Sequence, residues 1–280
     1  MNNNVEDIEL ELMLEAIFKR YGHDFRNYSR ASIKRRVKYF LNNSDHKRIS
    51  ELTAKLLYDQ EFLQQLIQHF SIPVTEMFRD PDFYSSLRTN ILPLLKTYPF
   101  VKIWHAGCAS GEEVYSLAIV LREEGLYDRS TIYATDFNES MLEKAKQGIY
   151  SITDIKNFME NYRKSGGAYS LANYFEAHYD SVIMSGALKK NITFARHNLA
   201  VDNAFGEMHL IMCRNVLIYF DRILQDRVFR LFDDSLIRDG FLCLGKKETL
   251  SFSAIAPFYE SISNNMKIYQ KRRPYQEFDQ

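Results

Sequence analysis

From residue 101 onward the sequence alternates short apolar runs with helical segments, and this alternation restricts the fold more than any other feature. VKIWHAG (101–107) precedes a helical stretch from Glu112, and TIYATD (131–136) precedes another from Asn138. Parallel strands need crossover connections, usually helical, so the pattern predicts βαβ units on a parallel sheet. Further strands are expected at NITFAR (191–196), MHLIMC (208–213) and FLCLG (241–245), with an amphipathic helix over DRILQDRVFRLFDDSLIRD (221–239). In FYESISNNMKIYQKR (258–272) the Ser-Asn-Asn is expected to turn between two antiparallel strands at the sheet edge. The rhythm breaks between Tyr150 and Lys190, where Tyr and Ser accumulate around Gly166-Gly167, which predicts an inserted subdomain.

Residues 6–70 are of a different kind, nearly free of Gly and Pro and rich in helix formers. Apolar positions such as Ile8, Leu12, Ala16 and Leu56, Leu63, Leu66, Phe70 predict three or four short helices. Gly22 is expected to stop the first, Ser29 or Ser32 to cap the second and Ser50 to cap the third. Pro73 marks the exit, giving an N-terminal helical domain over 1–72 and an α/β domain over 73–280 with its insert at about 150–190.

Composition excludes several classes. Lys+Arg and Asp+Glu each number 36, so no whole-molecule field draws the chain to nucleic acid or anionic lipid. Cys108, Cys213 and Cys243 have no spacing that suggests zinc or a disulfide framework, and the histidines show no ligand spacing, so no metal is expected and a reducing cytosol fits best. Apolar runs are broken by charges well short of the ~18 residues that span a bilayer, and MNNNVEDIELEL lacks the pattern of an export signal.

The motif IWHAGCASGEEVYSLA (103–118) places a small-residue loop between strand and helix, with Gly107 and Gly111 allowing a tight turn and close approach of a ligand. Its spacing is not that of a pyrophosphate loop, and Glu112 and Glu113 put negative charge where a phosphate would sit. A cationic ligand without phosphate, such as S-adenosyl-L-methionine, suits the turn, and a plain strand-helix connection is the alternative. Asp136 ends the next strand, either accepting both ribose hydroxyls of a nucleoside cofactor or capping the following helix. MCRNVLIYF (212–220) sets Arg214 and Asn215 at the carboxyl end of a strand, the edge where ligands bind in open α/β sheets, and gives Tyr219 a phenol in need of a partner. In PVTEMFRDPDF (73–83), Thr75 and Arg79 are one helical turn apart. YSRASIKRRVKYF (28–40) gathers Arg30, Lys34, Arg35, Arg36 and Lys38, either a solvated helix face or a local positive patch for an acidic helix or a nucleic-acid backbone.

In this order VTEMFRD, IWHAGCASGEEVYSLA, ATDFNESMLEKAKQGIY, HNL and MCRNVLIYF resemble the CheR family of protein-glutamate O-methyltransferases, from about residue 28 to residue 270. The resemblance implies a doubly wound, Rossmann-like class I methyltransferase sheet with a small inserted β-subdomain, behind an N-terminal helical domain. It implies S-adenosyl-L-methionine as cofactor and S-adenosyl-L-homocysteine as product. Thr75 and Arg79 match family positions near the methionine portion, Glu113 its amino-acid end, Asp136 the ribose, Asn198 and Leu199 the adenine, and Arg214 and Asn215 the end of the fourth strand. Arg79 and Tyr219 match the side chains nearest the transferred methyl, and the implied partner is an acidic helical cytoplasmic region of a chemoreceptor or related signalling protein, with neither nucleic acid nor membrane insertion. Pro73, Met77 and His105 depart from the common Asn, aromatic and Ser, and the insert NYRKSGGAYSLANYFEAHYDSVIMSG departs from that of the enteric members, which dock a receptor tail there. Two rivals remain open on the residues: a methyltransferase for nucleic acid or a small molecule, and a signalling module that binds the cofactor without catalysis.

Overall fold

The computed structural model describes residues 4–70 and 75–272. These fall into two compact units, one of Met1–Ile72 with Leu217–Val228, the other of Pro73–Val216 with Phe229–Gln280.

The smaller unit holds helices α1 (Val5–Tyr21), α2 (Arg30–Asn42), α3 (Ile49–Leu56) and α4 (Gln60–Phe70). In α1 the Asn4 side chain accepts the Glu6 N–H, and Leu10, Met13, Leu14 and Ile17 form the buried stripe that helical spacing requires. Gly22 ends it in the left-handed region (φ 75°), where glycine has no Cβ penalty, and its N–H bonds the Phe18 carbonyl. Ser29 stands at the cap position of α2 without a side-chain cap bond. The expected cap of α3 is corrected: the helix begins at Ile49, and Ser50 lies inside it with Oγ 2.6 Å from Glu9 Oε1. The carboxylate of Glu51 reaches back instead to the Lys47 N–H at 2.8 Å.

The larger unit opens with α5 (Pro81–Ser86), which runs through a wider turn at Leu87–Ile91 into α6 (Leu92–Leu95). There follow β1 (Val101–Ala106), α7 (Glu112–Glu123), β2 (Ser130–Asp136), α8 (Glu139–Gln147), β3 (Ile149–Ser151), α9 (Ile152–Lys164), β4 (Phe175–His178), β5 (Ser181–Met184), α10 (Gly186–Lys189), β6 (Ile192–Arg196), β7 (Met208–Cys213), α11 (Arg222–Ser235, of which the residues up to Val228 are counted with the smaller unit), β8 (Leu236–Leu244), β9 (Tyr259–Ser263) and β10 (Ile268–Lys271). Seven strands form one sheet in the order β6-β2-β1-β7-β8-β10-β9. The first five are parallel, and β10 pairs antiparallel with both neighbours. This is the doubly wound α/β architecture, and β1 and β7 are buried along nearly their whole length because helices cover both faces. The last two strands form the expected hairpin, but only β9 is at the edge, since β10 inserts between β8 and β9. The second sheet, β3-β5-β4, is the inserted β-subdomain.

One expected helix is shorter than its pattern. Leu236–Asp239 continue the amphipathic run but belong to β8, where pairing of Met208 with Leu236 and of Phe241–Cys243 with β10 outcompetes one more helical turn. Lys271 Nζ donates to the Asp233 and Leu236 carbonyls at 2.6 and 3.2 Å, satisfying groups that the helix end leaves unpaired.

Candidate active site

The chain order of the sheet reverses beside β1, which has β2 on one side and β7 on the other. Ligands of such sheets bind outside the carboxyl ends of the strands at this switch point. The segments after β1, β2 and β7 meet there.

After β1 the chain turns through three left-handed residues, Gly107 (φ 76°), Ala109 (φ 46°) and Gly111 (φ 92°). A Cβ on Gly107 would stand 2.5 Å from Val216 Cγ2, and one on Gly111 2.9 Å from Ala145 Cβ. The glycines are thus required by backbone conformation and by the packing of Val216 and Ala145 against the turn. The Gly107 and Cys108 N–H groups donate to the Thr135 carbonyl at 2.8 and 2.9 Å, and the Ala109 N–H donates to Asp136 Oδ2 at 2.9 Å. Asp136 Oδ1 accepts the Asn138 N–H, also at 2.9 Å. The capping role open to Asp136 falls to Asn138, whose side chain accepts the Ser140 N–H. Burial pushes the Asp136 carboxyl above its usual range against the pull of backbone N–H donors from Asn138, Ala109 and Phe137. An ionised carboxylate has about four lone-pair sites, so these three donors leave it able to accept at least one more bond.

Glu113, on the first turn of α7, is buried with Oε2 3.3 Å from Arg214 Nη1 and Oε1 3.5 Å from His105 Nε2. Burial alone would raise its pKa, but the Arg214 guanidinium and His105 outweigh that and hold the carboxyl at about 2. Arg214 lies 2.8 Å from Asp80 Oδ2, reaches the Arg79 carbonyl at 3.4 Å and stacks 4.0 Å from the Phe83 ring centroid. Lys246 extends the alternation at 3.0 Å from Asp80. Glu248 accepts the N–H groups of Asn215 (3.0 Å) and Val216 (2.8 Å), which fixes Asn215 in the left-handed region (φ 62°).

This network is short of partners. Glu113 Oε1 and His105 Nε2 face each other at 3.5 Å without a well-formed hydrogen bond, and His105 Nδ1, Arg214 Nε and Asn215 Oδ1 are buried with none. Each such group costs roughly 1–3 kcal/mol, more when charged. The orphaned donors and acceptors sit in one contiguous set, and together they fit a ligand that carries both an ammonium and a carboxylate. Neighbouring Glu112 behaves differently: its carboxyl takes the Ser110 hydroxyl at 2.8 Å, and burial pushes it up to about 7.

The other sequence-predicted residues are placed as follows. Asn198 and Leu199 are buried in the turn after β6, where Asn198 Oδ1 accepts the Ala200 N–H and its own N–H goes to Asp202. Thr75 and Arg79 are half-buried, but residues 75–80 form turns and not the helix their spacing suggested. Phe78 and Asp80 are left-handed, and Pro81 keeps the residue before it out of the helical region, so the helix starts at Pro81. Pro73 lies outside the described residues. Tyr219 belongs to the smaller unit, as does the basic helix. There Arg30, Lys34 and Lys38 pair with acids of α1, Lys34 with Asp7 and Lys38 with Glu6 at 2.7 Å each and Arg30 with Glu11 at 3.5 Å. Arg35 is exposed with no carboxylate within 4 Å among the described residues, and Arg36 is buried. No group of three or more His, Cys, Asp or Glu side chains among the described residues could hold a metal ion, and no helix among them is long and apolar enough to cross a membrane.

Comparison with known proteins matches residues 73–265 to the CheR methyltransferase SAM-binding domain and residues 8–71 to the CheR methyltransferase all-alpha domain. The chain belongs to the CheR methyltransferase family. A Pseudomonas putida protein named Cher3 is 50% identical over 265 residues, 95% of this chain and 97% of that protein. The chemotaxis protein methyltransferase of Listeria innocua is 30% identical over 88% of this chain and 92% of its own, and that of Borreliella burgdorferi 29% identical over 89% and 91%. The fold is thus a doubly wound α/β methyltransferase domain preceded in the chain by a helical CheR domain, and the cofactor is S-adenosyl-L-methionine.

Sequence reasoning missed Asp80, His105 and Glu248 as parts of this site. Asp80 stood in the quoted VTEMFRD run and His105 in the β1 motif, while Glu248, in GKKETL, carried no signal beyond an acid shortly after a strand-end glycine.

Proposed function

We propose that the chain esterifies glutamate side chains of a cytoplasmic signalling protein, the acidic helical region of a chemoreceptor being the acceptor class. The observation that carries this reading is the buried, under-partnered Glu113–Arg214–His105 group beside Asp136, within a SAM-binding CheR domain. S-adenosyl-L-methionine, when bound, supplies the electrophilic methyl group and leaves as S-adenosyl-L-homocysteine.

Glu113 would take the ammonium and Arg214, with Asn215 and Thr75, the amino-acid end. Asp136 would accept the ribose hydroxyls, Asn198 and Leu199 would border the adenine, and the Gly107 turn would admit the nucleoside. A glutamate carboxylate has an ordinary pKa of about 4.3 and is already a nucleophile at neutral pH, so no general base is needed. Arg79 and Tyr219 would orient it, since alignment at about 3–3.5 Å is itself a large contribution to rate. The exposed cations of α2, Arg35 above all, would draw an acidic partner.

With methyl-tritiated S-adenosyl-L-methionine and an extract of the source cells, label should enter protein and leave as volatile methanol in mild alkali. Label that is stable to alkali would defeat esterification, and cofactor binding without incorporation would favour a non-catalytic signalling module. Arg79→Ala should greatly reduce incorporation.

A further inference from the structure

The buried residues of α2 are Ile33, Arg36, Val37 and Phe40, so a guanidinium occupies a position of the helix's inward stripe. Arg36 is only 6% exposed. Its Nη1 reaches the His69 carbonyl at 3.5 Å, while Nε and Nη2 are buried without partners. No carboxylate lies within 4 Å of it among the described residues. A buried cation so poorly compensated is costly, and an apolar side chain of similar volume is often neutral or stabilising at such a place. What the guanidinium does contact is the face of Tyr219, with Cζ 4.7 Å from the ring centroid.

The backbone around Tyr219 is fixed by the same unit. The Ser29 N–H donates to the Tyr219 carbonyl at 2.8 Å, the Asp221 N–H donates to the Asn27 carbonyl at 2.9 Å, and Tyr28 pairs with Phe220 both as an isolated bridge and edge-to-face at 4.9 Å. These contacts set where Tyr219 leaves the chain, and its ring lies under the Arg36 guanidinium. A planar guanidinium over an aromatic face orients the ring through cation–π attraction and stacking.

We propose that Arg36 is a positioning residue for Tyr219, holding the phenol in the orientation that methyl transfer uses. This rests on the role given to Tyr219 above. Arg36 then acts through the tyrosine, whereas its exposed neighbour Arg35 meets the acceptor protein.

The test is a double-mutant cycle on Arg36→Met and Tyr219→Phe, with Arg36→Lys as the conservative variant. Methionine fills the same space and removes the unpaired donors, so the variant is expected to fold, and thermal unfolding checks it. Incorporation of tritiated methyl is measured against a titrated source-cell extract, and S-adenosyl-L-homocysteine affinity by calorimetry. Arg36→Met should lower the maximal rate about tenfold, with half-saturating extract and calorimetric affinity changed less than about twofold. Lysine should restore part of the rate, and in the Tyr219→Phe background the methionine substitution should have almost no further effect.

An equal loss from Arg36→Met in both backgrounds, or a loss confined to half-saturation, overturns the proposal. A fully active Tyr219→Phe removes the tyrosine's role and this inference with it. Label stable to alkali in the unsubstituted protein defeats esterification alone, because the cycle still reports whether Arg36 works through Tyr219.

Discussion

The turn after β1 and the outer face of α2 both gather charged side chains, yet one buries them and the other leaves them in water. At the turn, Glu113 and Arg214 are nearly inaccessible and pair with each other, with His105 and with Asp80. On α2, Lys34 and Lys38 pair with Glu6 and Asp7 at distances just as short. The difference is the solvent. In the interior each charge depends on its partners, and removing one leaves the other uncompensated. At the surface water replaces whatever is removed. Distance alone is therefore a poor guide to what a charged pair does, and burial with incomplete pairing is the better mark of a site.

The largest effect that would break this contrast is on folding. Arg214→Ala should lower unfolding free energy by about 3–5 kcal/mol, measured by urea titration, whereas Lys38→Ala should leave the midpoint unchanged within scatter. The pH dependence sharpens the point. Glu113 is held at about 2 against an ordinary 4.5, so its ionised form contributes stability in full above pH 4.5, and this is lost as pH falls toward 2. Without Arg214, burial drives the carboxyl upward, and the loss should begin at higher pH.

Next in size is cofactor affinity. Asp136→Ala removes charge-assisted bonds worth roughly 1.5–3 kcal/mol each, so calorimetric affinity for S-adenosyl-L-homocysteine should fall roughly tenfold or more. Unchanged affinity in a folded variant would remove Asp136 from the site. Glu112 tests the same region without touching the proposed ligand set. Its pKa is raised to about 7, so the protonated form stabilises the fold below pH 4.5 and that contribution is lost as pH rises through 7. Glu112→Gln should match the unsubstituted protein at pH 4 and exceed it at pH 8 by on the order of 2 kcal/mol. Equal stability at pH 8 would contradict the buried assignment.

The smallest effect belongs to the surface. Arg35→Glu should raise the half-saturating concentration of acceptor extract and weaken its salt dependence, leaving cofactor affinity alone. Equal kinetics at low salt would return the basic helix to an ordinary solvated face.

The parallel strands and the helices between them were legible because periodicity and burial act locally, and the strand-end position of Asp136 followed from them. The strand at Leu236–Asp239 was not, since its helical pattern is overridden by ladders to distant strands. The Glu113–Arg214 pair joins residues far apart in sequence, and only the sheet order brings β1 and β7 side by side. Arg36 could have been found. It shares the helical phase of Ile33, Val37 and Phe40, but its charge grouped it with its neighbours on the outer face.

Peptide mass spectrometry of acceptor proteins after incubation with S-adenosyl-L-methionine shows whether a protein carboxylate is the acceptor. A methyl increment on glutamate side chains, absent with Arg79→Ala, is the predicted result. An increment on an amine, or label found only in nucleic acid or a small molecule, would contradict it.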